Sequence, residues 1–98
     1  MTPQHVKIGS TYYEIDWTKP SEEGHAGVID YIPATIQINP DTSASAKQRI
    51  LLHEVLHGIL HQAGQETNER LVVALEYGLL AFLRDNPTTV SWLQATIS

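Results

Sequence analysis

Between Pro40 and Gly64 the sequence admits one local structure, a helix of about five to six turns, and the rest of the chain must be arranged around it. Asp41, Thr42 and Ser43 are residue types that cap helix N-termini, and Gly64 is the type that closes a C-terminus in the left-handed region. Leu52, Val55, Leu56, Ile59 and Ala63 recur at helical spacing and form the stripe expected to face the core.

The residues before this helix read as strands. His5 to Trp17 alternates β-branched and aromatic residues with polar ones around Gly9-Ser10, the pattern of a hairpin with a tight turn. Thr18 to Ala26 is polar and holds Pro20 and Gly24, so a surface loop is expected there. Gly27 to Tyr31 and Thr35 to Asn39 flank Ile32-Pro33-Ala34 as a second hairpin, closed by Pro40. After Gly64, Thr67 can cap a second helix through about Arg84, with Leu71, Val72, Leu75, Leu79, Phe82 and Leu83 on one stripe. Asn86-Pro87 can start a short third helix carrying Val90, Trp92, Leu93 and Ile97. Strands first and helices after implies an α+β fold: a small antiparallel sheet, then the long helix and two further helices packed on it.

A chain of 98 residues has room for one core, so residues 1–98 are expected to form a single domain. With 42% hydrophobic and 17% charged residues and no long apolar run, a membrane role is not expected. The opening residues lack the basic head and apolar stretch of a signal peptide, which makes the cytoplasm the expected compartment. Six basic against 11 acidic side chains, a net charge of -5, provide no electrostatic footprint for nucleic acid. Without cysteine there is no thiol nucleophile, and any zinc site must use His, Asp or Glu.

Such residues stand on the long helix as His53-Glu54-Val55-Leu56-His57. Positions four apart on a helix share a face about 6 Å apart, so two imidazoles can reach one ion with Glu54 beside them. This is the zincin arrangement: zinc takes neutral imidazole nitrogen and keeps a position for water, and the Glu serves as the general base. The three polar side chains fall on a different flank from the core stripe, rimmed by Ile50, Leu51 and Leu60, so they are not core filler.

A catalytic zinc needs a third protein ligand. His61 continues the spacing, but it lies about 12 Å along the helix axis from His53, too far to share an ion. The returning helix offers Glu69 and Glu76, with Glu66 in the loop before it. Glu69 falls near the level of His57 and Glu76 near that of His53, so spacing leaves both open, with Glu69 preferred. His61, Tyr31 and Tyr77 are the candidates for stabilising a tetrahedral intermediate, while His5 and His25 are expected merely to be exposed.

At His53-Glu54-Val55-Leu56-His57 the chain resembles the gluzincin metallopeptidases, in particular the compact ImmA/IrrE-like proteins common in bacteria and their phages. The resemblance spans roughly Gly27 to Asn86, and it departs from the family at Val72-Val73 and in the shorter interval from His57 to Glu69. It implies Zn2+ held by His53, His57 and Glu69, with Glu54 as the catalytic general base. It also implies a cleft-lining strand before the motif helix, here Thr35 to Asn39, and a protein or peptide substrate such as a transcriptional repressor. Two functions are therefore carried forward: a zinc metalloendopeptidase, and a zincin-like module without catalysis that docks on a host or phage protein.

Overall fold

The computed structural model describes residues 2–18, 20 and 24–95. Their order is β1 (His5–Ile8), β2 (Thr11–Asp16), β3 (Gly27–Asp30), β4 (Thr35–Ile38), α1 (Ala44–Gln62), α2 (Glu69–Asp85) and α3 (Pro87–Gln94). The α+β class and the element order agree with the sequence reading. Expected Ile97 and part of the Thr18 to Ala26 loop lie outside the described residues.

Both hairpins form where the turn residues place them. Gly9, at φ 60°, turns β1 into β2, and the pairing runs from His5 opposite Glu14 to Ile8 opposite Thr11. In the second hairpin Gly27 pairs with Ile38 and Asp30 with Thr35.

The sheet is mixed rather than antiparallel. Its order is β1-β2-β4-β3, and β4 runs parallel to β2, with Ile15 opposite Ile36. β3 runs antiparallel to β2 but not beside it, leaving a gap one strand wide between them. The second hairpin then inserts β4 into the gap, necessarily in the direction of β2. Alternation along each strand reads correctly, but which strands become neighbours is a non-local outcome that no pattern within a strand encodes.

One face of the sheet carries the core: Ile8, Tyr13, Ile15, Ile36 and Ile38, all buried. Against it lies α1, seated through Ile50, Leu51 and Val55 and, where it comes closest, through Gly58. The Gln62 amide closes this end by donating to the Ile8 carbonyl. The stripe facing the sheet is therefore rotated from the one expected: Leu56 is buried, but Ile59 is 48% exposed and Ala63 is exposed.

Of the three helices described, only α1 touches the sheet. α2 packs on α1 and α3 on α2, which corrects the expectation that all three helices cover the strands. Strands of four residues span about 13 Å, and one helix about 10 Å wide already fills that face. On α2 Val72 is the one fully buried apolar side chain of the expected stripe, whereas Leu71, Leu75, Leu79, Phe82 and Leu83 are exposed. α2 is capped by Asn68, whose side chain accepts from the Leu71 amide at 3.2 Å, not by Thr67.

The closeness of α1 to the sheet gives a direct test. A Cβ at Gly58 would lie 2.8 Å from Ile8 Cδ1 and 3.2 Å from Ile29 Cδ1. Gly58→Val is expected to lower stability by about 1–3 kcal/mol in urea unfolding, because the side chain must be forced against buried Ile8 and half-buried Ile29. An unchanged midpoint would mean that helix and sheet are not in this contact.

Candidate metal centre

The site is assembled by one helix, one turn and the start of the next helix. Ser43 begins α1, its hydroxyl accepting from the Ala46 amide at 3.2 Å. Gly64, at φ 71°, ends it, with the Gly64 amide donating to the His61 carbonyl and the Gln65 amide to the Leu60 carbonyl. The chain reverses over a few residues and Asn68 starts α2, so Glu69 enters in the first helical turn directly beside the end of the motif.

There the side chains converge. His57 Nε2 lies 3.1 Å from His53 Nε2 and 2.5 Å from Glu69 Oε1, and His53 Nε2 lies 3.3 Å from Glu69 Oε2. The three residues offer one donor atom each within 4.8 Å of one another. Donors on one tetrahedral zinc at about 2.0–2.1 Å stand about 3.3–3.4 Å apart, so the shortest contact needs to open by less than about 1 Å. Two neutral imidazole nitrogens and a carboxylate oxygen are a donor set zinc accepts, and the residues fit the ion.

Glu76 does something else. Its Oε1 lies 3.0 Å from His53 Nδ1, the nitrogen facing away from the cluster, and the carboxylate is 7% exposed. A buried carboxylate accepting from Nδ1–H fixes the tautomer that leaves the Nε2 lone pair toward the cluster. Of the two glutamates that spacing left open, Glu69 is the one placed on the Nε2 atoms. Burial pulls the His53 pKa down, but the Glu76 hydrogen bond and the Glu54 and Glu69 carboxylates outweigh it and leave it raised.

Glu54 is 7% exposed and belongs to the cleft on both sides of His53. Burial pushes its carboxyl up to about 7, with Glu69 and Glu76 adding to the rise and His53 and His25 opposing it. Gly27 makes the room: a Cβ there would lie 2.6 Å from Ile50 Cγ2 and 3.4 Å from Glu54 Oε2. The edge strand thus presses its backbone against the general-base candidate.

That edge is β3, not the expected Thr35 to Asn39. β4 is internal, between β2 and β3, while Gly27, Val28 and Ile29 line the cleft beside His53, Glu54, His57 and Glu69. The insertion of β4 that makes the sheet mixed is also what moves the open edge to the strand one earlier in the sequence.

Of the candidates for stabilising an intermediate, Tyr31 alone lines this cleft with Glu54, His57 and Glu69. Its side chain hydrogen-bonds Thr67, and burial, followed by Tyr13 and Glu54, raises its pKa. His61 stacks on the Tyr31 ring at 3.7 Å and an interplanar angle of 5°, facing a separate hollow with Ser10 and Gln62, consistent with its exclusion as a ligand. Tyr77 is 59% exposed at the far end of the groove. The residue missed from sequence is His25, expected to be merely exposed: it is exposed but lines the cleft and acts electrostatically on Glu54. A lone His in a polar loop carries no periodic signal that could have revealed this. His5 is exposed on β1, as expected.

Among the described residues, no helix is long and apolar enough to cross a membrane. No protein-family model, curated protein or solved structure matches the chain. The geometry of the site therefore carries the functional argument.

Because the folded carboxyl of Glu54 titrates near 7 against an ordinary value of 4.5, the metal-stripped protein holds a proton between those pH values that the unfolded chain has lost. Its contribution to stability thus falls as pH rises through that window. Glu54→Gln is expected to stabilise the metal-stripped protein by up to about 3 kcal/mol at pH 8 and hardly at all at pH 4, measured by urea unfolding with a chelator present. A variant less stable than wild type at pH 8 would contradict the burial argument.

Proposed function

We propose that the protein is a zinc-dependent metallopeptidase that hydrolyses peptide bonds, with His53, His57 and Glu69 as the metal ligands and Glu54 as general base. The observation that carries this reading is the convergence of both Nε2 atoms and the Glu69 carboxylate beside the buried carboxyl of Glu54. When bound, zinc would acidify a water molecule and polarise the carbonyl to be attacked.

The chain's own residues would do the rest. Glu54 takes the proton from the attacking water as the new C–O bond forms, then passes it to the departing nitrogen as the C–N bond breaks. Glu76 keeps His53 in the tautomer and orientation that ligation requires. The open edge of β3 offers main-chain donors and acceptors to an extended peptide, and Tyr31 stands where a hydroxyl can donate to the developing oxyanion. The ImmA/IrrE-like resemblance is part of the same proposal and supplies the substrate class, a protein such as a transcriptional regulator.

A second reading, docking without cleavage, draws on a different observation. Leu75, Phe82 and Leu83 on α2 and Trp92 and Leu93 on α3 are exposed, Trp92 by 74%, which is more apolar surface than two short helices need to show.

Metal content tests the site. Elemental analysis is expected to find one zinc per wild-type chain, and none or loosely held zinc in His53→Ala and Glu69→Ala. Glu76→Gln should retain zinc with affinity lowered by about 10–100-fold. Undiminished zinc in Glu69→Ala would remove that residue from the ligand set.

Activity separates the two readings. Zinc-loaded Glu54→Gln should keep its metal but lose about 10²–10⁴ of the cleavage rate on an unfolded protein substrate. Undiminished biological activity in that variant would favour docking.

A further inference from the structure

The metal cluster occupies one end of a longer groove. On α1, Ser45, Arg49, His53 and His57 follow one another at intervals of four and so share a stripe. Running the opposite way on α2, Glu69, Glu76, Tyr77 and Arg84 face it: Glu69 meets His57, Glu76 meets His53, and the Arg49 guanidinium lies over the Tyr77 ring at 5.7 Å. The hollow containing His53, Glu54 and Glu76 has Arg49 and Tyr77 in its wall. These two residues also form the wall of the next hollow, with Ser45 and Arg84 at its far side. The seam between the helices is thus continuous from the carboxylates of the metal cluster to two guanidiniums.

Neither guanidinium is in an ion pair among the described residues, although acidic side chains outnumber basic ones 11 to 6 in the chain. Arg49 is half-buried, with its guanidinium carbon over the Tyr77 ring. Arg84 is exposed, and the two guanidiniums together at one end of a groove offer a site for a carboxylate.

We propose that Arg49, assisted by Arg84, selects a substrate carboxylate on one side of the scissile bond, so that the cleft takes acidic peptides. The proposal rests on the peptidase reading of the metal cluster. Arg49 is one helical turn, about 6 Å, from His53, and an extended peptide advances about 3.3 Å per residue. With the reach of the arginine side chains, the carboxylate falls about two to four residues from the bond cut. The preference is positional: it is confined to the side chains that reach the two guanidiniums, because the net charge of -5 gives no general attraction for anions.

The test uses the zinc-loaded Glu54→Gln protein, which binds without cutting, and a set of labelled decapeptides with acetylated and amidated ends. Glu, Gln or Lys is stepped through each position, and one Gln peptide keeps a free C-terminus to distinguish a terminal carboxylate from a side chain. Fluorescence anisotropy is expected to show about tenfold tighter binding for Glu than for Lys at one or two neighbouring positions. The preference should weaken at high salt, vanish with Arg49→Gln, return in part with Arg49→Lys and survive Arg70→Gln, a change outside the groove. Equal binding of all peptides, no binding at all, or a preference that survives Arg49→Gln would overturn the proposal. Cleavage of the same peptides by zinc-loaded wild type is scored separately. An acidic preference in binding without any cleavage sinks the peptidase reading and keeps the groove, while cleavage without preference does the reverse.

Discussion

The placement of α2 depends on the contacts it makes with α1, because it has none with the sheet. Buried Val72 and Leu56 supply the apolar part of that seam, and the polar part is His53 against Glu76 and His57 against Glu69. A buried carboxylate is costly unless its hydrogen bonds are met, and the imidazole of His53 meets those of Glu76. The contacts that dock the helix are thus the same ones that assemble the donor set. In a two-layer protein of this size, a metal at the seam would tie the second helix to the domain as well as create a reactive centre.

Glu54 shows the opposite relation between function and stability. It lies where α1 meets the edge strand, on the side of the helix that burial favours for an apolar group, and its raised pKa measures the cost of keeping a carboxyl there. Gly27 sharpens that cost by bringing the β3 backbone against the carboxylate. An apolar residue would pack this position more cheaply, but it would supply no base. Local conflict of this kind, inside an otherwise consistent hydrophobic pattern, is the physical ground for reading the position as part of a site.

Much of this was legible because it is local. The Gly9 and Pro33 turns, the Ser43 and Gly64 ends of α1, and the i, i+4 pairing of His53 with His57 all follow from rules that operate within a few residues. What escaped was set by contacts distant in sequence. The parallel pairing of β2 with β4 and the open edge at β3 depend on how a hairpin inserts, and the helix spacing of Glu69 and Glu76 could not say which side chain reaches Nε2 and which reaches Nδ1. The stripe on α2 misled for a related reason. Periodicity states that one face is apolar, but not that there is something to cover it, and here the sheet is already occupied by α1.

The exposure of that stripe and the openness of the cleft have a common cause. With four short strands on one side and a single helix bearing the motif, no second layer rises opposite the candidate metal centre among the described residues, and Glu69 remains 65% exposed at its lip. A cleft with one wall can grip a substrate only through what that wall offers: the hydrogen-bonding edge of β3, the hydroxyl of Tyr31 and charge along the α1–α2 seam. Main-chain pairing at a strand edge is indifferent to sequence, and an exposed ligand set is indifferent to which peptide bond it meets. On the peptidase reading, selectivity comes from fixed charge at a distance from the bond, supplied by Arg49 and Arg84, neither of which is in an ion pair among the described residues.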